Sequence, residues 1–459
     1  MKKLVFVLFD VLILVAFSIP IANLFIKPAP STKLTDARKD DPLFVKAAGP
    51  LQAKCMPCHA QGVELPFYAG FPVAKQIIRQ DIDEGIEHYD FISELLPPGN
   101  RPAGEVALAK MEFSVTSGSM PPLRYFALHW DGVLSSSEKN DLLSWIREVR
   151  RKHYATPGYP AEVQERPLQP LPKAVDLSAA KVALGDRLYH DKRLSKDDTI
   201  ACASCHELAK GGTDLKQFSD GVGGAKGDIN SPTTYNSGFN FIQFWDGRAA
   251  DLEEQADGPV NNPIEMASNW NQVIGKLQKD EALTGAFRAV YPDGYSSKNI
   301  RNAIAEFERS LITPNSRFDR FLAGDASALD EKEEAGYRVF QEHGCHTCHV
   351  GKILGGQSFE KMGVYRDYFG DRGNIKKPDL GRFNVTQKER DRHRFKVPTL
   401  RNIAWTAPYF HDGSVKDLEQ AAAVMAKYNT EEEFSQREAE IVSKFLEALT
   451  GEYQGKPVQ

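Results

Sequence analysis

The chain has 459 residues, 41% hydrophobic and 26% charged, an ordinary globular composition long enough for about three domains. Its formal net charge of −5 is mild and comes without a basic run, so nucleic acid is not an expected partner.

Residues 4–26, LVFVLFDVLILVAFSIPIANLFI, are almost wholly apolar and follow Lys2 and Lys3. The stretch predicts a transmembrane anchor over residues 1–26, with the lysines on the cytoplasmic side. A secretory signal is the competitor, because Pro20-Ile21-Ala22 is a tolerable cleavage site, although a signal's apolar core usually runs about 7–15 residues. Either reading exports the rest of the chain, and the expected localisation is periplasmic, anchored in the inner membrane by this helix. Asp10 would be costly inside the span and receives no role. From Lys27 to about Asp41 follows a proline- and charge-rich tether.

All six cysteines lie in three copies of one pentad: Cys55-Met56-Pro57-Cys58-His59, Cys202-Ala203-Ser204-Cys205-His206 and Cys345-His346-Thr347-Cys348-His349. Cys-x-x-Cys-His attaches a c-type haem, the two thiols adding to its vinyl groups and the imidazole serving as proximal ligand. Three covalently bound c-type haems are therefore expected, on Cys55/Cys58, Cys202/Cys205 and Cys345/Cys348, with His59, His206 and His349 on the irons. Zinc would need Cys-x-x-Cys pairs that converge, and these stand roughly 145 residues apart. Disulfides would leave the histidine after each pair without a reason.

The first haem unit spans residues 42–155. It closes with a helix opened by the capping box Ser135-x-x-Glu138 and striped by Leu142, Leu143, Ile146 and Val149. Met120, about sixty residues after His59 and followed by two prolines, is the expected second ligand of its iron, with Met111 as the fallback. Residues 156–173 read as a proline-rich, semi-rigid linker. The units at 174–328 and 329–453 echo each other. Gly185-Asp186-Arg187-Leu188-Tyr189 precedes one pentad and Gly336-Tyr337-Arg338-Val339-Phe340 the other. Each closes on an apolar stripe, Ile300, Ile304, Phe307 and Leu311 in one, Ile441, Phe445 and Leu449 in the other, as if one cytochrome fold had been duplicated. The loop Gly221-Val222-Gly223-Gly224-Ala225-Lys226-Gly227 lacks the ending that a phosphate cradle needs. The expected fold class is mostly α, three cytochrome c-like haem domains in tandem behind an N-terminal transmembrane helix.

Asn230-Ser231-Pro232-Thr233, Phe244-Trp245-Asp246-Gly247-Arg248, Glu265-Met266, Leu400-Arg401-Asn402 and Thr406-Ala407-Pro408-Tyr409-Phe410-His411, together with two c-haem units, resemble the bacterial di-haem cytochrome c peroxidases. The additional amino-terminal haem and anchor resemble the tri-haem variant that draws electrons from quinol. The resemblance implies reduction of hydrogen peroxide to water, with electrons from quinol or a small c-type cytochrome passing through the His349 haem to a peroxidatic His206 haem. It also implies Glu265 as active-site acid/base, Gln255 as a pocket glutamine, Trp245 as the tryptophan between the haems and Met425 as distal ligand of the electron-transferring haem. Asn230, Thr406 and Pro408 match positions whose oxygens hold a calcium ion. One departure stands out: where many members carry a distal histidine, this chain has Gly223-Gly224. The alternatives are a multihaem electron-transfer subunit without peroxidase activity and a related di-haem oxidase that modifies a protein.

Overall fold

The computed structural model describes residues 17–26, 34–99 and 101–459, and their secondary structure is predominantly helical. Two compact units divide between Ala155 and Thr156.

In the first unit the long helices are α1 (Pro42–Pro50), α2 (Pro72–His88), α3 (Glu105–Ser117) and α4 (Ser136–His153). Asp41 caps α1 by accepting from the backbone N–H groups of Leu43 and Phe44. The expected Ser135/Glu138 capping box opens α4. Leu142, Ile146 and Val149 are buried from α4, and Trp145 packs 5.2 Å from Phe44 of α1, which closes the core over the first pentad. Leu143 is only partly buried at its margin.

The expected transmembrane helix needs correction. Among the described residues no helix is long and apolar enough to cross a membrane, so inner-membrane anchoring by an N-terminal helix is not supported. Residues 4–16 of the apolar run, Asp10 included, lie outside the described residues. The described part, helical over 17–25, is tied to the body of the first unit. Asn23 is buried and its amide donates to the Leu128 carbonyl at 2.7 Å and the Tyr68 hydroxyl at 3.3 Å, while Phe17 meets Trp130 edge-on.

In the second unit the helices that matter are α5 (Ala179–Tyr189), α6 (Ser297–Ser310), α7 (Glu331–Glu342), α8 (Leu418–Asn429) and α9 (Gln436–Glu447). Helix α5 crosses α6 at Gly185, where a Cβ would stand 1.9 Å from the Ala303 carbonyl oxygen. Helix α7 crosses α9 in the same way at Gly336, 2.0 Å from the Ile441 oxygen. Glycine is required at both crossings because the facing backbone occupies the side-chain position. Strand β1 (Phe359–Lys361) pairs antiparallel with β2 (Arg394–Lys396), Phe359 opposite Lys396 and Glu360 opposite Phe395.

The expectation of three tandem cytochrome domains is also corrected: the chain forms two units, and the stretches carrying the second and third pentads are one body. A buried polar seam joins them. Asn236 and Asn402 both donate to the Thr313 hydroxyl, at 2.8 and 3.0 Å, and the Thr313 and Gly451 N–H groups return to the two amide oxygens. Opening that seam would leave several buried polar groups unpaired. Arg401, fully buried, pairs with Asp319 at 2.8 Å and donates to the Gln169 carbonyl. Thr156, Leu168, Gln169 and Leu171 are fully buried here, so residues 156–173 pack onto the second unit and do not hang as a tether.

Candidate active site

Each pentad closes one helical or 3₁₀ turn, which brings its two cysteines to the same side. All six thiols are free of disulfides. The Nδ1 of each following histidine faces a backbone carbonyl. His59 lies 2.9 Å from the oxygens of both Gly85 and Tyr89, His206 3.4 Å from that of Gly212, and His349 3.0 Å from that of Leu354. This arrangement holds the proton on Nδ1 and presents Nε2 as a ligand. Burial lowers the pKa of all three rings, that of His349 to about 4, so they are neutral as iron ligation requires.

In the second unit both pentads open on one cavity of about 430 Å³. Cys202, Cys205 and His206 line one part, Cys345, Cys348 and His349 another, and the walls are mostly apolar. Paired thiols, neutral imidazoles and a large apolar void suit two covalently held haems. The buried Asn240 Oδ1 and Glu308 Oε2, which line the void and have no hydrogen-bond partner among the described residues, suit an occupant that meets them.

Glu265, Gln255 and Trp245 all line this cavity. Glu265 follows a short helical turn, Asp257–Asn261, and its Oε1 accepts from the Asn262 amide at 2.6 Å. Burial raises its pKa, and the Asn262 hydrogen bond and the nearby Arg248 charge partly oppose this. Gln255 ends a turn capped by Asp251. The Trp245 indole N–H donates to the Asn230 carbonyl at 2.9 Å, and the Trp245 carbonyl accepts from the Lys396 N–H at 2.8 Å. Its ring stands edge-on to Phe395 and His411, so Trp245 is gripped by residues from both pentad-bearing stretches.

The glycine loop sits over the Glu265 backbone. A Cβ at Gly221 would lie 2.1 Å from the Ile264 oxygen, and the Val222 N–H donates to the Glu265 carbonyl. Gly223 and Gly224 both have positive φ, with nothing within 4 Å of a would-be Cβ. Lys226 is held outward, two-thirds exposed, by an ion pair with Asp220.

On the other side, Met425 projects from α8 into the cavity, and Asn429, one turn later, places its amide 3.8 Å from the Met425 sulfur and 3.4 Å from that of Met362. Sequence reasoning gave no role to Asn262, Asn429 or Met362. The four-residue spacing of Met425 and Asn429 on a helix is the one signal that could have found that pair. In the first unit Met120 is half exposed beyond the end of α3, whereas Met111 is buried in its core.

Asn230, Thr406 and Pro408 line the same cavity. The Asn230 amide nitrogen donates to the Lys216 carbonyl and its backbone N–H to that of His411, which leaves the side-chain oxygen for a hard cation. Among the described residues the metal-ligating side chains that cluster are Asp379, His411 and Asp412. They already close on Arg372, which bonds Asp379 at 2.5 Å and Asp412 at 2.8 Å, so a guanidinium occupies the place of an ion. His411 spans Asp379 and the Phe395 ring and serves as local scaffolding.

Two thiol-histidine stations opening on a common cavity beside a partly buried carboxyl define a c-type haem oxidoreductase. The model of the di-haem cytochrome c peroxidases matches residues 179–327, and that of a haem-binding domain residues 14–148. The chain is 47% identical to cytochrome c peroxidase Ccp of Escherichia coli over 89% of its own length and 88% of that protein. It is 44% identical to cytochrome c551 peroxidase of Nitrosomonas europaea over 62% of its length and 84% of the relative. A crystal structure of a MauG-like protein associated with microbial copper homeostasis, 29% identical, superposes with a TM-score of 0.54 over 61% of this chain and 95% of that one. The chain belongs to the di-haem cytochrome c peroxidase family, and it is a peroxidase that works through c-type haems.

Proposed function

We infer that this chain reduces hydrogen peroxide to two waters with three c-type haems, one per pentad, and that peroxide is handled at the His206 station. The observation that carries this reading is Glu265, partly buried in the cavity that Cys202, Cys205 and His206 also line, its carboxylate held by Asn262. The haems, when bound, supply iron that takes up electrons one at a time and passes them to peroxide. The chain's residues do the rest. Glu265, its proton affinity raised by burial, accepts the proton of the attacking peroxide oxygen and delivers it to the departing one. Gln255 orients the substrate from its turn, and the cavity's apolar walls limit water. Trp245, fixed through both its N–H and its carbonyl, bridges the two stations for electrons.

The glycines at 223 and 224 and the Lys226–Asp220 pair offer no side-chain ligand to the His206 iron, which supports a station open to peroxide without prior release of a ligand. Met425, beside Asn429, would supply the sulfur ligand at the His349 station, and Met120 that at His59. Calcium on the oxygens of Asn230, Thr406 and Pro408 would stiffen the seam around Trp245. A small c-type cytochrome or a quinol supplies electrons through the first haem.

Mass spectrometry of the mature protein with peroxide turnover tests this reading. Three covalent haem additions are expected. Cys55→Ala with Cys58→Ala should cut turnover with the physiological donor and spare turnover with an artificial one. Two additions or fewer, or equal loss with both donors, would refute the three-haem relay.

A further inference from the structure

Three cationic side chains line the cavity of the second unit: Arg248, Lys361 and Lys396. Arg248 is paired with Asp246 at 3.0 Å and lies over the Phe244 ring, and Lys361 has interactions of its own. Lys396 differs. It is 7% exposed, sits on β2 between the buried Phe395 and Val397, and has no carboxylate partner among the described residues. Its backbone N–H is committed to the Trp245 carbonyl, which fixes the strand against the tryptophan. Two residues on, the Pro398 carbonyl helps hold the His349 ring, so Lys396 belongs to the His349 side of the cavity. Burial without a compensating anion lowers the Lys396 pKa to about 8. A buried ammonium left unpaired is costly, and natural interiors provide such a group with a counter-ion or a ligand.

A haem attached through its vinyl groups keeps two propionate carboxylates, and each meets the converse problem on entering an apolar cavity. We propose that Lys396 binds a propionate of the haem held by Cys345, Cys348 and His349, forming a buried charge-assisted pair beside Trp245. The inference rests on the reading that this pentad carries a haem. The pair does two things. It anchors the edge of the haem against the strand that grips Trp245, and it places a positive charge near the iron. That charge favours the ferrous state, so Lys396 raises the potential of the station that must collect electrons from the donor.

The test uses the full, haem-loaded chain as wild type, Lys396→Met and Lys396→Arg, with haem content measured for each. In potentiometric titrations the Lys396→Met protein should show a fall in the His349-haem potential equivalent to at least a tenfold change in its oxidised-to-reduced ratio, about 59 mV for one electron. Lys396→Arg should restore most of it. Reduced-minus-oxidised infrared spectra should show a shifted haem carboxylate band in Lys396→Met alone. Lys396→Gln replaces Lys396→Met in both measurements if the latter does not accumulate. Full haem content with unchanged potentials and carboxylate bands would overturn the proposal alone. A mature wild-type protein with no haem on Cys345 and Cys348 would overturn the proposal together with the reading beneath it.

Discussion

The two pentad-bearing halves of the second unit share a scaffold and differ in the side chains they bring to the cavity. Gly185 against Ala303 and Gly336 against Ile441 make the same helix crossing with nearly the same clearance, 1.9 and 2.0 Å to the facing carbonyl. From the 174–328 stretch the cavity is walled by Gly221, Gly227, Gln255, the partly buried Glu265 and the buried Glu308. From the 329–453 stretch it is walled by Met425, Asn429 and Lys396. In the function proposed above, the first set would hold and pass protons, and the second would supply sulfur to an iron and favour its reduction. A duplicated backbone can therefore divide the labour of a peroxidase, because ligand and proton supply depend on a few side chains that the helix crossing does not constrain.

The sharpest way to break this contrast is Glu265→Gln. Haem content should be unchanged, and peroxide turnover should fall by at least roughly a hundredfold, since positioned acid/base groups are typically worth about 10²–10⁴ in rate. A variant within a few-fold of wild type in steady-state assays would remove Glu265 from the chemistry.

The shared scaffold predicts matched penalties at the two crossings. Gly185→Ala and Gly336→Ala each drive a methyl group into a backbone carbonyl, and each should lower stability by about 1–3 kcal/mol in denaturant unfolding. A tolerant response at one crossing and not the other would show that the two are not equivalent.

Glu308 sharpens the difference through pH. It is 7% exposed, its Oε2 has no partner among the described residues, and its pKa is raised to about 8 by burial, with Arg309 opposing the rise and Glu253 adding to it. Tyr189 and Cys202 also face it. Between the unfolded value of 4.5 and about 8 the folded chain keeps a proton that the unfolded chain has lost. Stability should therefore fall as pH rises through that window, by at most about 1.4 kcal/mol per pH unit. Glu308→Gln, which cannot ionise, should flatten this part of the curve in unfolding experiments run from pH 5 to 8. An identical slope in both proteins would mean that Glu308 ionises freely in the fold.

The smallest expected effect on stability is that of Met425→Leu, a volume-conserving change that should cost less than about 1.5 kcal/mol. Its spectroscopic effect should be plain. Electron paramagnetic resonance of the oxidised wild type should show a high-spin signal from the His206 haem beside low-spin signals, and the variant should add a second high-spin haem. A wild type that is entirely low-spin, with turnover only after a reductive lag, would mean that another residue caps the His206 iron.

Glu265, Trp245 and Met425 entered only through the family resemblance, whereas the pentads, the duplicated glycine-led helices and the Ser135 capping box were legible in the sequence itself. Each depends on short-range spacing: a thiol pair on one turn, a stripe on one helix face, a cap three residues from its partner. The division into units was not legible, because the Asn236–Thr313–Asn402 seam joins residues up to 89 apart that carry no periodicity. The apolar run at the start invited a membrane reading, since hydropathy does not reveal that Asn23 would find Tyr68 and Leu128 as partners. Nor could the string distinguish Lys396 from any other lysine on a strand. Only the packing of β2 against Trp245 shows that its charge is buried and unmatched, because burial and the lack of a counter-ion are properties of the assembled interior and not of the residue.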